Sequence, residues 1–463
     1  MLRVFGSPNR YGRRDFLRIG SLALGGLTLP QLLATQAAGA SGRLATGKSV
    51  IFLFQHGGPS QIETFDPKMT APVGIQSATG AVQTKIPGIS FGGTLPKLAQ
   101  LADKFSIVRS FATGDGNHDI KPIVGRDSGG ANLGSLYSRV VGTNSGTTGM
   151  PTNAALFCRA VDPMAKPVIK DFGNFEATGG IGASYAPFVP GAGGDLQRDM
   201  ELNLPMDRLG DRRALLGELD RVRFQLDASG KLEGLDRLRE QAFGTIVGGA
   251  AGAFDLSQES PATIARYDTA PLFGSDGISR RWNNYPHYVD NARSLGKLLL
   301  LARRLCEAGC GFVTITTSFV WDNHSDVNNA GAEEGMRYCG IPFDHAVSAF
   351  IEDCEARGLS DKILLVCCGE MGRTPRINAN GGRDHWGGLA PLMLFGGRTR
   401  PGQVIGQSTR DAGEPSSEPM RIPNLLATIM HTLLDVGELR VTRGVPAEVV
   451  RAASAADPIP GLF

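Results

Sequence analysis

Two continuous apolar runs, SVIFLF at 49–54 and KILLVCC at 362–368, constrain the fold of this chain more than any other feature. Neither run alternates polar and apolar residues, so each is typical of a strand buried on both faces of a sheet. Further strands are predicted at 105–111, 311–318 and 390–397, and helices at 292–309, 343–358 and 423–436. This alternation favours an α/β fold with a mainly parallel central sheet flanked by helices on both faces.

The segment from about 200 to 300 has a helical pattern, and we expect it to form a helical insertion packed on the sheet. No linker rich in Pro, Ser or Gly separates it from the rest of the chain. The predicted helices at 292–309 and 343–358 are expected to stop at Gly309 and Gly358. We therefore predict a single α/β domain over residues 41–463.

The first 40 residues have the pattern of a twin-arginine export signal. Arg13 and Arg14 precede a weakly apolar stretch, and a small-residue end places the expected cleavage after Ala40. The alternative, an N-terminal membrane anchor, is disfavoured because the apolar stretch is too short to span a bilayer. The expected location is periplasmic or extracellular, with no stable membrane span.

Charge and cysteine content narrow the function classes. The formal net charge is +2, and the first 40 residues contain five Arg and one Asp, so the remaining chain carries −2. This balance argues against a nucleic-acid-binding surface. The seven cysteines show no metal-type CxxC spacing and no disulfide framework, although Cys306 and Cys310 are close enough in sequence to pair.

Four strands end in polar loops, and each of these loops carries a histidine: His56, His118, His324 and His385. Ligands of an open parallel sheet bind beyond the carboxyl ends of its strands, because the loops collect there. We therefore expect the functional site at this edge of the sheet. His56 has a simpler interpretation as well, since a histidine in a turn often bonds a backbone carbonyl.

The ligand types in these loops favour a divalent metal. Asp322 and His324 lie two residues apart, while Glu370 and His385 stand near the two ends of the glycine-rich loop GEMGRTPRINANGGRDHW (369–386). Mixed Asp, Glu and His ligands suit zinc, manganese and similar ions. The alternative for Asp322 is a turn in which the carboxylate bonds its own backbone.

Two other pairs of residues in these loops enter the predicted site. Arg373 and Arg383 offer forked donors to an anionic, tetrahedral group. Glu63 and Asp66 are early acidic residues that either contribute a metal ligand or only close a loop.

The segments HGGPSQIETFDPK, WDNH, GEMGRTPRIN and GGRDHW, together with the export signal, resemble a Tat-exported branch of the alkaline phosphatase/sulfatase superfamily. The resemblance covers nearly all of the chain after the signal. It implies an alkaline-phosphatase-like sheet, two divalent metals at the strand ends, and hydrolysis of phosphate or sulfate esters. It also implies that the metal ligands come from the following set: Asp322, His324, Glu370 and His385, with Glu63 or Asp66.

The chain departs from that superfamily at the nucleophile. It lacks the Cys/Ser-x-Pro-x-Arg turn of sulfatases outside the signal, and the corresponding slot at 115–118 reads Asp-Gly-Asn-His. The candidates for this part of the site are therefore His118, inside the slot, and Thr113, a nearby hydroxyl. Attack by a metal-bound hydroxide, with no covalent intermediate, fits these residues better than attack by Thr113.

These observations predict an exported hydrolase of phosphate, sulfate or related esters that depends on a divalent metal such as Zn, Mn or Ca. Its partner would be an anionic small-molecule or polysaccharide ester. The alternative is a non-catalytic binding protein on the same fold, which recognises a sulfated or phosphorylated polysaccharide or acts in a surface complex.

Overall fold

The computed structural model describes residues 44–191, 250–274 and 277–463. The predicted export signal and about half of the predicted helical insertion, residues 200–249, lie outside the described residues, so these parts remain predictions. Within the described part of the chain, no helix is long and apolar enough to cross a membrane.

The centre of the fold is a seven-stranded sheet. In spatial order its strands are β12 (Val404–Ile405), β4 (Ser106–Val108), β11 (Leu392–Gly396), β8 (Ile363–Cys368), β1 (Ser49–Phe54), β7 (Phe312–Ile315) and β6 (Asn153–Leu156). All of these strands run in the same direction except β11, which is antiparallel to both of its neighbours. The predicted mainly parallel sheet is therefore confirmed.

Both faces of the sheet are covered by helices, as predicted. Successive residues of β1 point to opposite faces: Ile51 and Leu53 enter one core, while Val50, Phe52 and Phe54 enter the other. The first core is closed by α1 (Pro96–Gln100), α3 (Ala251–Phe254), α4 (Pro261–Tyr267), α5 (Tyr285–Glu307) and α6 (Ala332–Ala356). The second is closed by α2 (Leu133–Val141), α7 (Ile422–Leu433), α8 (Val436–Val441) and α9 (Ala447–Ser454).

The two predicted glycine stops are confirmed. Gly309 and Gly358 have φ angles of 103° and 65°, in the left-handed region that ends a helix without steric cost. In each case the following residue bonds back into the last turn. The N–H of Cys310 donates to the carbonyl of Leu305 at 2.9 Å, and the N–H of Leu359 donates to that of Cys354 at 2.8 Å.

Helix α6 begins at Ala332, well before the predicted start at 343. The sequence obscures this because the first half of the helix contains Gly335, Gly340 and Pro342, which normally disfavour helix. The glycines are required by packing. A Cβ on Gly335 would lie 2.1 Å from Oδ1 of Asn323, and one on Gly340 would lie 2.6 Å from Oγ1 of Thr94.

Short strand pairs surround the central sheet. They are β2 (Ala81–Gln83) with β3 (Ser90–Gly92), β9 (Gly372–Arg373) with β10 (His385–Trp386), and β5 (Phe111–Ala112) with β13 (Met420–Arg421). The predicted single strand at 105–111 is therefore wrong. It is divided between β4 and β5, because the backbone leaves the central sheet to pair with β13. All seven cysteines are buried and unpaired, so Cys306 and Cys310 form no disulfide.

Candidate metal centre

Loops from separate strands bring polar side chains together at one edge of the sheet. Asp322 follows β7, Glu370 follows β8, and His118 lies in the loop after β5. His385 begins β10, which precedes β11. These residues are remote in sequence, but the topology of the sheet carries their loops to the same place.

Three of these side chains converge on one point. Nε2 of His118 and Nε2 of His385 are 3.0 Å apart, and they lie 3.5 Å and 3.3 Å from Oδ1 of Asp322. Tetrahedral zinc bonds of about 2.0–2.2 Å place neighbouring ligand atoms about 3.3–3.6 Å apart. The observed separations are close to these values. The residues therefore fit a metal ion with three protein ligands and one open position, which is the pattern of catalytic rather than structural zinc sites.

Glu370 sets the proton position on His118. Its fully buried carboxylate lies 2.9 Å from Nδ1 of His118 and also accepts the N–H of Gly57 at 3.0 Å. Because an ionised carboxylate only accepts hydrogen bonds, Nδ1 of a neutral His118 carries the proton and Nε2 presents its lone pair to the cluster. Glu370 therefore lies behind the candidate ligand His118, and not in the ligand position expected from the sequence.

Arg373 fixes Asp322 and does not face solvent. Its guanidinium is 1% exposed and donates to Oδ1 of Asp322 at 2.6 Å, to the carbonyls of Gly57 and Gly58, and to that of Arg383. Because these acceptors occupy the N–H donors of Arg373, few donors remain for the anion that the sequence predicted this residue to bind. The other carboxylate oxygen of Asp322, Oδ2, accepts from Nδ2 of Asn329 at 2.9 Å. Asn329 carries no sequence signal that separates it from ordinary loop residues.

Charge within the cluster shifts the pKa values of its members. Burial alone would raise the pKa of Asp322, but its contacts with His118 and His385 and the charge of Arg373 hold this pKa well below its usual range. Burial opposes a charge on His118, yet Asp322 and Glu370 outweigh it and raise its pKa. Asp322 is therefore a carboxylate at neutral pH, as a metal ligand must be.

His324 lies beside the three converging residues. Its Nε2 is 3.2 Å from Oδ2 of Asp322, and its ring centroid is 5.5 Å from that of His385. Burial is the main cause that lowers its pKa, so the imidazole is neutral at pH 7. The structure thus places His324 next to the cluster, with its ring nitrogen on the outer oxygen of Asp322.

Glu63 and Arg383 lie apart from the cluster, in a buried ion pair with each other. Both side chains are 1% exposed, and Nη2 of Arg383 is 2.8 Å from Oε1 of Glu63. The remaining donors of Arg383 bond backbone carbonyls, including those of Ile75 and Gln76. Glu63 therefore has no ligand position at the cluster, and Arg383 has no face open to an anion.

Asp66 is also in a separate contact, with Lys68 at 3.1 Å, Arg109 at 3.6 Å and the hydroxyl of Ser408. Its charge is compensated there, so it closes a loop, which was the simpler of the two sequence interpretations. The Oγ1 atom of Thr113 is buried and has no hydrogen-bond partner in the described part of the chain. Nothing in its contacts joins it to the cluster.

Aromatic rings that the sequence analysis missed form one wall of the centre. The rings of Phe172 and Phe319 stack with centroids 4.7 Å apart, and His118 packs against both. His56 packs edge-on against the same two rings, with its centroid 4.9 Å from that of Phe319. Burial lowers the pKa of His56 to about 4, so this histidine is a neutral member of the aromatic wall.

Residues 47–459 match the family described as "Protein of unknown function (DUF1501)". The chain belongs to the DUF1501 family. No curated protein matches this DUF1501 chain.

Several solved structures are similar to it at low identity. PsFucS1 sulfatase from Pseudoalteromonas sp. is 11% identical, with a TM-score of 0.36 over 86% of this chain and 71% of the sulfatase. The lipoteichoic acid synthase LtaP from Listeria monocytogenes is 9% identical, with a TM-score of 0.33 over 90% of this chain and 81% of LtaP.

Proposed function

We propose that this DUF1501 protein is an exported, metal-dependent hydrolase of phosphate, sulfate or related esters, in the alkaline phosphatase/sulfatase-like superfamily. The observation that carries the proposal is the convergence of His118, His385 and Asp322 at separations suited to one tetrahedral metal. Two imidazoles and one carboxylate favour zinc or manganese over calcium, because calcium prefers six to eight oxygen ligands. Export rests on the twin-arginine pattern of the first 40 residues.

The protein's own residues have distinct roles in this proposal. His118, Asp322 and His385 would hold a divalent metal, which when bound would supply an activated water and charge neutralisation for the ester. Glu370 holds His118 in the tautomer that binds metal, and Arg373 holds Asp322 in place. His324, neutral at pH 7 and next to the cluster, is the side chain available to take up a proton during hydrolysis.

The alternative function is a binding protein that recognises a sulfated or phosphorylated polysaccharide without cleaving it. One observation favours it: among the described residues, no Ser, Thr or Cys side chain is hydrogen-bonded to His118, Asp322 or His385. An enzyme of this design has to use an activated water, whereas a binding protein needs no nucleophile.

Metal analysis of the exported protein, with and without His385, tests the proposal. We expect the parent to retain about one metal ion per chain, since the cluster offers one set of three ligands. His385→Ala removes a ligand that is 36% exposed, so metal content should fall while the core is unaffected. His431→Ala, on α7 in the second core region, is the matched control and should retain the metal.

Activity then separates the two functions. Hydrolysis of 4-nitrophenyl phosphate or 4-nitrophenyl sulfate by the metal-loaded parent, lost in His385→Ala, is the expected result. A parent that is purified without chelators, contains no metal and takes up neither Zn²⁺ nor Mn²⁺ would refute the hydrolase. A parent that holds metal but cleaves neither ester would support the binding protein.

A further inference from the structure

We propose that the cleft beside His385 takes a sugar ring stacked on Trp386, so that the ligand of the centre is a carbohydrate ester. This inference rests on the proposed function only for the position of the ester group at the metal cluster. The cleft has a volume of about 560 Å³ and is lined by Asp115, His385, Trp386, Glu414 and Arg421 together with glycines and prolines. That volume is within the range of about 300–1,000 Å³ typical of small-molecule sites.

His385 joins the cleft to the metal cluster. Its Nε2 atom faces Asp322 and His118, while the residue also lines the cleft. Among the three converging residues it is the most exposed, at 36% of its side chain, compared with 12% for His118 and 4% for Asp322. A ligand in the cleft therefore reaches the cluster from the His385 side.

Glycines allow the two loops that line the cleft to approach each other closely. A Cβ on Gly387 would lie 2.4 Å from Cα of Asp115, and one on Gly116 would lie 3.1 Å from Cβ of His385. The two backbones are held together by a hydrogen bond from the N–H of Gly114 to the carbonyl of Gly387, at 3.0 Å. Side chains at these positions would push the loops apart, so the approach depends on glycine.

Trp386 provides a fixed flat surface in this cleft. Its Nε1–H donates to the carbonyl of Gly413 at 2.6 Å, which anchors the indole by its edge. The side chain is only partly buried and contributes to the lining, so some of its apolar surface faces the cleft. An anchored, partly exposed indole has little conformational entropy to lose when a ring stacks on it.

The rest of the lining favours a polyhydroxylated ring over an alkyl chain. Asp115, Glu414 and Arg421 are all exposed. Oδ1 of Asp115 is paired with Lys121 at 2.8 Å, so the cleft offers the other oxygen of Asp115, the carboxylate of Glu414 and one guanidinium to ligand hydroxyls. One aromatic surface with polar groups around it matches a pyranose, which has an apolar C–H face and a rim of hydroxyls. An alkyl group would partly desolvate these charged side chains and would supply no hydrogen bond to them in exchange.

Binding to defined small ligands tests the inference. Trp386 is one of three tryptophans, and Trp321 is buried, so ligand binding in the cleft should change the intrinsic fluorescence through Trp386. The ligands are glucose 6-sulfate and glucose 6-phosphate, the corresponding inorganic anions, and octyl sulfate, each titrated into the exported protein. We expect the sugar esters to bind about tenfold more tightly than their inorganic anions.

Variants distinguish stacking from a general effect on the fold. Trp386→Ala should remove the preference for the sugar ester and leave the affinity for inorganic sulfate and the metal content unchanged; calorimetry replaces fluorescence for this variant. Trp386→Phe keeps an aromatic ring but loses the hydrogen bond to Gly413, so it should keep part of the preference. Trp282→Phe, at the half-buried indole that lies over Arg281, is the control and should behave as the parent.

Three results would overturn the inference: equal affinity for sugar esters and inorganic anions in the parent, tighter binding of octyl sulfate, or an equal loss of both affinities in Trp386→Ala. Binding of none of these ligands would overturn it too. The failure of the hydrolase would look different. In that case the protein would contain no metal and cleave no ester, but it would keep a preference for sugar esters that depends on Trp386. This result would refute the hydrolase function and would still support the cleft as a carbohydrate-binding site.

Discussion

We expect Arg383→Ala to lower the free energy of unfolding by about 3–5 kcal/mol, because removal of one partner leaves a buried charge uncompensated. Arg383 and Glu63 are each 1% exposed, and Nη2 of Arg383 lies 2.8 Å from Oε1 of Glu63. The truncation also removes the donors to the carbonyls of Ile75 and Gln76. The residue therefore ties the glycine-rich loop to the segment that contains Glu63.

The lower end of this range, about 3 kcal/mol, is the better estimate for this pair. Glu63 keeps other donors after the substitution, since it accepts the hydroxyl of Ser77 at 2.7 Å and the N–H of Ala78 at 3.1 Å. These hydrogen bonds to a charged acceptor continue to stabilise the carboxylate. The carboxylate is thus left without its counter-ion, but not without hydrogen bonds.

Urea unfolding at pH 7 measures the effect, with Arg376→Ala as the control. Arg376 is exposed on the same loop, and its removal should change stability by no more than about 0.5 kcal/mol. If the two buried residues act as a pair, Glu63→Gln combined with Arg383→Ala should cost about 1–3 kcal/mol less than the sum of the single changes. The reasoning fails if Arg383→Ala costs less than about 1 kcal/mol and instead weakens the binding of phosphate or sulfate.

Two further predictions concern other carboxylates. Glu370→Gln should weaken Zn²⁺ affinity by about 10–100-fold in a chelator competition, because Glu370 orients His118 through Nδ1. Burial alone would raise the pKa of Glu259. Hydrogen bonds from Arg303 and Arg304 and the charge of Arg303 outweigh this effect and lower the pKa from 4.5 to about 2. This stabilisation is present above pH 4.5 and is lost as the pH falls towards 2, by about 3 kcal/mol at 1.36 kcal/mol per unit. Urea unfolding between pH 6 and about 3 should therefore decline less in Glu259→Gln than in the parent, and equal slopes would contradict the assignment.

The parts of this fold that the sequence predicted best are those with a simple periodic cause. Strands β1 and β8 are buried on both faces, so their composition alone indicates them. The ends of α5 and α6 are marked by Gly309 and Gly358, whose φ angles only glycine adopts without cost. These signals are local, and each can be interpreted without knowledge of the rest of the chain.

Predictions for the charged residues depended on contacts that are not local. Glu63 and Arg383 are 320 positions apart, yet each compensates the other in the interior. In the sequence, Arg383 stands beside His385 in a loop dense with charge, which is also how an anion site would look. Burial of the side chain distinguishes a structural ion pair from an anion site. No pattern in the sequence of the loop specifies which of its arginines is buried.

The direction of β11 explains why His385 reaches the cluster at all. His385 precedes β11, so in a parallel sheet it would arrive at the amino edge, away from Asp322 and Glu370. A parallel connection from β8 to β11 would also need a crossover, usually a helix. The described segment between these strands contains only the β9–β10 hairpin, which suits an antiparallel return. The sequence signal for the antiparallel direction of β11 is therefore the absence of a helical pattern between 369 and 391. Because β11 is antiparallel, one long loop supplies both Glu370 and His385 to the same edge of the sheet.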